Sequence, residues 1–243
     1  MTERVEGAGV ELSATARGTG APLLLVHDLA ADARAWTGLT DALGEGVRTI
    51  AYDRRGYGDS GAPEPYERTT VQEQSEDARA LLSALGAARG DAVAVGEGFG
   101  ALVVLDLLVR LPALLHGAVL VAPPLNQFSP TAAAVLSDQR GLLEAALRDG
   151  GPAAAVAAWR PGADERVRAA HRAFFADFGG LASWPVTRRE LRAVTVPVAV
   201  VTATATAPHL VESADVLAEL LPAGRRIEAE SPLGALRDLL GAS

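Results

Sequence analysis

Two short stretches hold the side chains best suited to chemistry. His27-Asp28 directly follows the apolar run Pro22–Val26, and Gly96-Glu97-Gly98-Phe99-Gly100 directly follows the apolar stretch 91–95. Histidine titrates near neutral pH, so His27 is a candidate acid or base. A carboxylate beside a glycine turn becomes a general base where burial raises its pKa towards neutrality, which makes Glu97 a second candidate. A competing reading of Glu97 follows from strand geometry. Adjacent residues of an extended segment face opposite sides, so a cavity-facing residue 98 turns Glu97 away, into a buried structural hydrogen bond. Asp28 is the third candidate, or else a turn residue bordering a pocket.

Composition removes several chemistries. The 243 residues include no cysteine, so disulfides, thiol nucleophiles and cysteine-based metal sites are excluded. There is no lysine either, which excludes Schiff-base chemistry and a P-loop lysine. His27, His116, His171 and His209 are scattered without metal-ligand spacing, so no metal is expected. A net charge of −8 argues against nucleic acid and anionic membranes as partners. No apolar run approaches the roughly 18 residues of a membrane span. Residues 1–9 are charged and lack the apolar stretch of a signal peptide, and a cytoplasmic location is expected. Gly96-x-Gly98-x-x-Ala101 matches a dinucleotide fingerprint, but the acid required about 20 residues later is missing at Val121-Ala122-Pro123. No cofactor is expected.

The elements that must position these residues follow from periodicity. Short apolar runs at 10–16, 22–26, 47–52, 91–95 and 118–122 predict strands. Amphipathic stretches at 32–43, 70–85 and 101–111 predict helices between them. Strands alternating with helices predict a parallel sheet covered on both faces. The alternation lapses between about 125 and 192, where helices are separated by Gly150-Gly151-Pro152, Pro161-Gly162 and Gly179-Gly180. It resumes with a strand at 196–202, a helix at 210–221, a strand at 226–229 and a helix at 233–240. The predicted organisation is a core of residues 1–124 and 193–243 with a helical cap at 125–192.

With these motifs in this order, the sequence resembles the α/β-hydrolase superfamily. His27-Asp28 stands where the family commonly has His-Gly. Asp53-Arg54-Arg55-Gly56-Tyr57-Gly58-Asp59-Ser60 is close to the family's D-x-R-G-x-G-x-S loop, and Val196-Pro197-Val198 opens the strand that leads to the catalytic acid. The resemblance implies a mostly parallel, doubly wound sheet with an inserted helical cap. It also places Gly96–Gly100 at the nucleophile elbow, which reads G-x-S-x-G in the family. Here the nucleophile position is Gly98, with no side chain. The acid position reads Thr202-Ala203-Thr204-Ala205-Thr206, the alternative one is Ala122, and no histidine follows His209. The resemblance thus implies a degenerate triad. It also implies backbone oxyanion donors at Phe99 and Leu29, and loop support as the usual role of His27.

Fold does not fix function. The sequence favours a non-hydrolytic enzyme (elimination, cyclisation, isomerisation or proton transfer) on a small, largely apolar or carbonyl-containing substrate. Binding, orientation and the oxyanion donors would carry its rate. The alternatives are a non-catalytic relative that binds a small ligand or a partner protein, and a hydrolase with a displaced nucleophile or base. Trp36, Phe128, His171 and Trp184 are the expected cavity walls.

Overall fold

A computed structural model describes residues 2–88, 90–181 and 184–241. Its strands are β1 (Thr2–Glu6), β2 (Glu11–Arg17), β3 (Pro22–Val26), β4 (Arg48–Tyr52), β5 (Ala92–Glu97), β6 (Leu115–Val121), β7 (Val198–Thr202) and β8 (Gly224–Glu228). They form one sheet in the order β1-β2-β4-β3-β5-β6-β7-β8. β1 and β2 pair antiparallel, as do β2 and β4, and every later pairing is parallel. The expected α/β-hydrolase-like, mostly parallel sheet is therefore present. β1 was not expected: its sequence TERVE buries only Val5, as befits a charged edge strand.

The central strands are apolar on both sides because both faces are covered. Leu24 and Val26 of β3 join one core layer with Ala94 of β5, while Leu23 and Leu25 join the other with Val93 and Val95. α2 (Val71–Ala84) begins at a reciprocal cap. Thr70 Oγ1 accepts from Glu73 N–H at 3.1 Å, and the Glu73 carboxylate accepts from Thr70 N–H at 2.8 Å. α3 (Phe99–Arg110) is buried from Phe99 through Leu108. α1 (Thr37–Leu43) follows a 3₁₀ turn at Ala33–Trp36, where one continuous helix was expected.

Among the described residues between β6 and β7 there are only helices: α4 (Ala132–Trp159), α5 (Glu165–Ala169), α6 (His171–Leu181) and α7 (Arg188–Leu191), after a 3₁₀ turn at Asn126–Phe128. α4 is broken at Gly151, whose φ of +76° and neighbouring Pro152 interrupt the helical ladder. This segment is fastened to the sheet by ion pairs. Asp177 of α6 meets Arg54 at 2.6 Å with both side chains fully buried. Arg166 of α5 reaches Asp53 at 2.9 Å and Asp59 at 3.1 Å. α8 (Pro208–Leu220) and α9 (Leu233–Gly241) complete the chain.

Strand order reverses at β3, since the chain steps to β4 on one side and then crosses to β5 on the other. Ligands of open α/β sheets bind at such a switch point, beyond the carboxyl ends of the strands. Val26 is in register with Gly96, so β3 and β5 leave the sheet side by side there.

Candidate functional site

Gly98 is the turn between β5 and α3. Its φ of +53° and ψ of −117° lie where an L side chain is strained, and glycine adopts them at little cost. The turn is pinned by Gly98 N–H donating to Val121 O at 2.9 Å and by Ala101 N–H donating to Gly98 O at 3.0 Å. The register of β3 with β5 brings Asp28 level with this glycine, and the Asp28 carboxylate fills the space beside it. A Cβ built on Gly98 would overlap Oδ1 and Cγ of Asp28 and lie 2.6 Å from Oδ2. Asp28 Oδ1 accepts from Phe99 N–H at 2.7 Å. The site of a missing side chain is thus occupied by a carboxylate supplied from the neighbouring strand end.

This arrangement changes the oxyanion reading. Phe99 N–H, one of the two expected backbone donors, is already bonded to Asp28. Burial raises the Asp28 pKa, while the N–H groups of Phe99 and Leu29 and the charges of Arg160 and Arg54 oppose the rise. These donors serve an internal carboxyl group. A substrate oxyanion gains both donors only when Asp28 moves.

A cavity of about 210 Å³ opens at this point. Its walls include Asp28, Leu29, Glu97, Gly98, Phe99 and Ala122, with Asn126, Leu136, Gln139 and Trp159 from the helical segment and His209 and Leu210 from α8. Glu97 and Gly98 therefore border the same space, against the alternation argument. The reason is local: β5 ends at Glu97, and the turn at Gly98 no longer follows strand pleating. No hydrogen bond holds the Glu97 carboxylate among the described residues. Burial raises its pKa, the Asp28 charge adds to the rise, and Arg160 opposes it.

His27 is not available for acid–base chemistry, which corrects its candidacy. It is fully buried, its Nδ1–H donates to Asp28 O at 2.8 Å, and its Nε2 accepts from Arg54 N–H at 3.0 Å. Burial and the adjacent Arg54 guanidinium push its pKa well below the usual value, so the ring is neutral. Arg54 also donates from Nε to His27 O at 2.9 Å and from Nη2 to Asp28 O at 3.1 Å. Its guanidinium lies 4.7 Å from the Phe99 ring centre. Arg54 thus holds the backbone of the loop that carries Asp28.

The structure corrects all four expected cavity walls. Trp36 packs on the other face of the sheet, with Leu23 and Leu25, and lines a separate depression with Arg17 and Arg34. Trp184 is buried elsewhere and donates its indole N–H to Asp106 of α3 at 2.9 Å. Phe128 carries the Arg188 guanidinium 4.9 Å from its ring centre and does not border the cavity. His171 opens α6 and does not border it either. The aromatic walls are Phe99 and Trp159, the latter steadied by edge-on contacts with Phe174 and Phe178 at 5.7 and 5.4 Å.

His209 was not among the expected cavity walls. It lies in the first turn of α8 and borders the cavity, 6% exposed, with Nδ1 buried and without a partner among the described residues. The signal was present: Pro208 starts a helix directly beyond a parallel strand, at the ligand-binding edge of the sheet. Burial lowers the His209 pKa, with Glu212 opposing. Among the described residues no group of three or more His, Asp or Glu is arranged to hold a metal ion, and no helix is long and apolar enough to cross a membrane.

Comparison with known proteins agrees with this fold. A solved alpha/beta hydrolase from Sphaerobacter thermophilus superposes over 98% of this chain and 99% of its own, with a TM-score of 0.78 and 22% identity, a likeness of fold alone. In sequence, the chain is 32% identical over 115 residues to the uncharacterized hydrolase YraK of Bacillus subtilis, covering 47% of this chain and 41% of that protein. It is 39% identical over 107 residues to epoxide hydrolase A of Mycobacterium tuberculosis, covering 42% of this chain and 33% of that protein. The chain thus spans less than half the length of these curated relatives. The model of the alpha/beta hydrolase family matches residues 23–240, and the chain belongs to that family.

Proposed function

We propose that this chain is an enzyme of the alpha/beta hydrolase fold whose working group is the Asp28 carboxylate. In this reading Asp28 accepts a proton from a small, largely apolar substrate, in an elimination or isomerisation that needs no serine nucleophile. One observation carries the proposal: Asp28 stands where the absent side chain of residue 98 would be, at the floor of a cavity. A carboxylate with a raised pKa is a stronger base than one in water, and burial supplies that rise. Glu97 and His209 border the same cavity and supply further proton sites. The helical segment 125–192 serves as the cap that excludes water and contributes Trp159 and Leu136 to the walls.

The test uses a general probe of enzymic bases, ring opening of 5-nitrobenzisoxazole. The base takes the C–H proton, the C–H electron pair forms the nitrile, and the N–O bond breaks to release a phenolate. The folded chain is expected to exceed acetate at equal concentration, and Asp28→Asn to lose about 100-fold or more. Unchanged activity in Asp28→Asn would remove Asp28 from the role.

A second reading is favoured by the partial similarity to epoxide hydrolase A. The Asp28 carboxylate would attack a substrate carbon, forming an ester as the C–O bond to the leaving oxygen breaks. Water would then cleave that ester and return the carboxylate. Single turnover in ¹⁸O-labelled water separates the two, because only the ester route places label in Asp28.

A further inference from the structure

The polar wall of the cavity has acceptors to spare. Asp28 takes Phe99 N–H on Oδ1, and no side chain among the described residues donates to its carboxyl. The Glu97 carboxylate has no hydrogen bond among the described residues, and the Asn126 side-chain oxygen is buried without a partner. His209 is more than nine-tenths buried, and its unpartnered Nδ1 belongs to a ring that burial keeps neutral, so the ring offers a lone pair. These four side chains line one cavity. Among the described residues no arginine lines it. Arg160, whose charge reaches both carboxyls, directs Nη1 to the carbonyl oxygens of Leu29 and Ala30 and lines a different depression.

Buried acceptors without donors, and two carboxyls in one small space, are both unfavourable. A ligand with N–H donors and a positive charge relieves both at once. We propose that the cavity selects a small organic cation, a protonated amine on an apolar body. Its ammonium group lodges among Asp28, Glu97 and the Asn126 oxygen, and its body lies against Trp159, Leu136 and Leu210. Trp159 adds an indole to the lining, the ring that best attracts a cation. The net charge of −8 favours approach of such a ligand. The inference rests on the reading of Asp28 as the working carboxyl and names the substrate class that carboxyl would meet.

The test compares three probes that share a ring and differ in head group: benzylammonium, benzyl alcohol and benzoate. Calorimetric titration is run at about pH 8, where benzylammonium keeps its charge and free carboxyls are ionised. Benzylammonium is expected to bind about tenfold or more tighter than benzyl alcohol, with benzoate weakest. Glu97→Gln, shown to be folded by circular dichroism, is expected to erase most of that preference, read as the ratio of ammonium to alcohol affinity. Equal binding of ammonium and alcohol, tighter binding of benzoate, or no binding of the ammonium probe overturns the inference. Proton abstraction is measured separately. Selective amine binding without turnover would sink the base reading and leave this inference standing; turnover without amine preference would do the reverse.

Discussion

A side chain at residue 98 and the carboxylate of Asp28 compete for one volume. The two residues are held together by Phe99 N–H, which donates to Asp28 Oδ1 at 2.7 Å across 71 positions of sequence. The β3–β5 register puts both at the switch point of the sheet, so the absence of a side chain at Gly98 and the presence of the Asp28 carboxylate beside it are a single structural fact.

Gly98→Ser therefore does not rebuild a serine hydrolase. The new Cβ would meet Asp28, and the serine would sit in a strained backbone region. We expect a loss of about 1–3 kcal/mol in urea unfolding. Hydrolysis of an activated ester should stay at background, because Asp28 fills the volume a serine hydroxyl would need and already engages Phe99 N–H, an oxyanion donor. Asp28→Gly in the same chain should recover most of the stability. An additive loss in the double variant would show that the two residues do not compete.

The buried pair of Arg54 and Asp177 ties the loop of Asp28 to α6. Removing one partner leaves a buried charge uncompensated. Gln74 and Tyr57 also donate to Asp177, at 2.5 and 2.9 Å, and satisfy only part of it. Arg54→Met is expected to cost about 3–5 kcal/mol by denaturant unfolding. The double variant Arg54→Met/Asp177→Leu should cost less than the sum of the two single variants.

The sequence made the central strands, the elbow and the empty position at Gly98 readable, since each is a local pattern of apolar runs and glycine. The occupant of that position was not readable. Asp28 arrives there through the pairing of β3 with β5, and pairing register across some seventy residues is not written in either segment. The cavity walls failed for a related reason. Trp36, Phe128, His171 and Trp184 were chosen by residue type, but which face of an element meets the cavity depends on packing. Trp36 lies on the opposite side of the sheet, and Trp184 was claimed by Asp106. Trp159 sits at the end of α4, just before Pro161-Gly162, and only the fold turns it inward.

The raised carboxyls give stability a definite pH dependence. Glu97 and Asp28 hold their protons more tightly in the folded chain than in the unfolded chain. Where the native state binds more protons, stability falls as pH rises, from the ordinary carboxyl pKa up to the folded value. Glu97→Gln removes one such cost. It should match wild type near the ordinary carboxyl pKa and exceed it at neutral pH, as read from unfolding midpoints. His27 works in the opposite sense. Its folded pKa is lowered, so the unfolded chain takes up the proton first and stability falls as pH drops below the ordinary histidine pKa of about 6.5. A wild-type advantage over Glu97→Gln that grows with pH would contradict the assignment.

Two non-glycine residues lie in the left-handed backbone region, Ala30 with a φ of +49° and Ala122 with a φ of +46°. Ala122 borders the cavity, and its N–H donates to Val201 O at 2.9 Å, which pins its backbone in place. An alanine in the left-handed region costs roughly 1–2 kcal/mol relative to its ordinary conformations. Glycine would relieve that cost but adds about 0.4–1 kcal/mol of chain entropy to the unfolded state. The first effect is larger, so Ala122→Gly should stabilise the chain by up to about 1 kcal/mol. Ala122→Val, whose branched side chain tolerates this backbone less well, should destabilise it. Thermal and urea unfolding of the two variants decide the matter. A loss of stability in Ala122→Gly would mean that the methyl group's contacts with the cavity wall outweigh the backbone strain, and the cavity would then owe its shape to packing at Ala122.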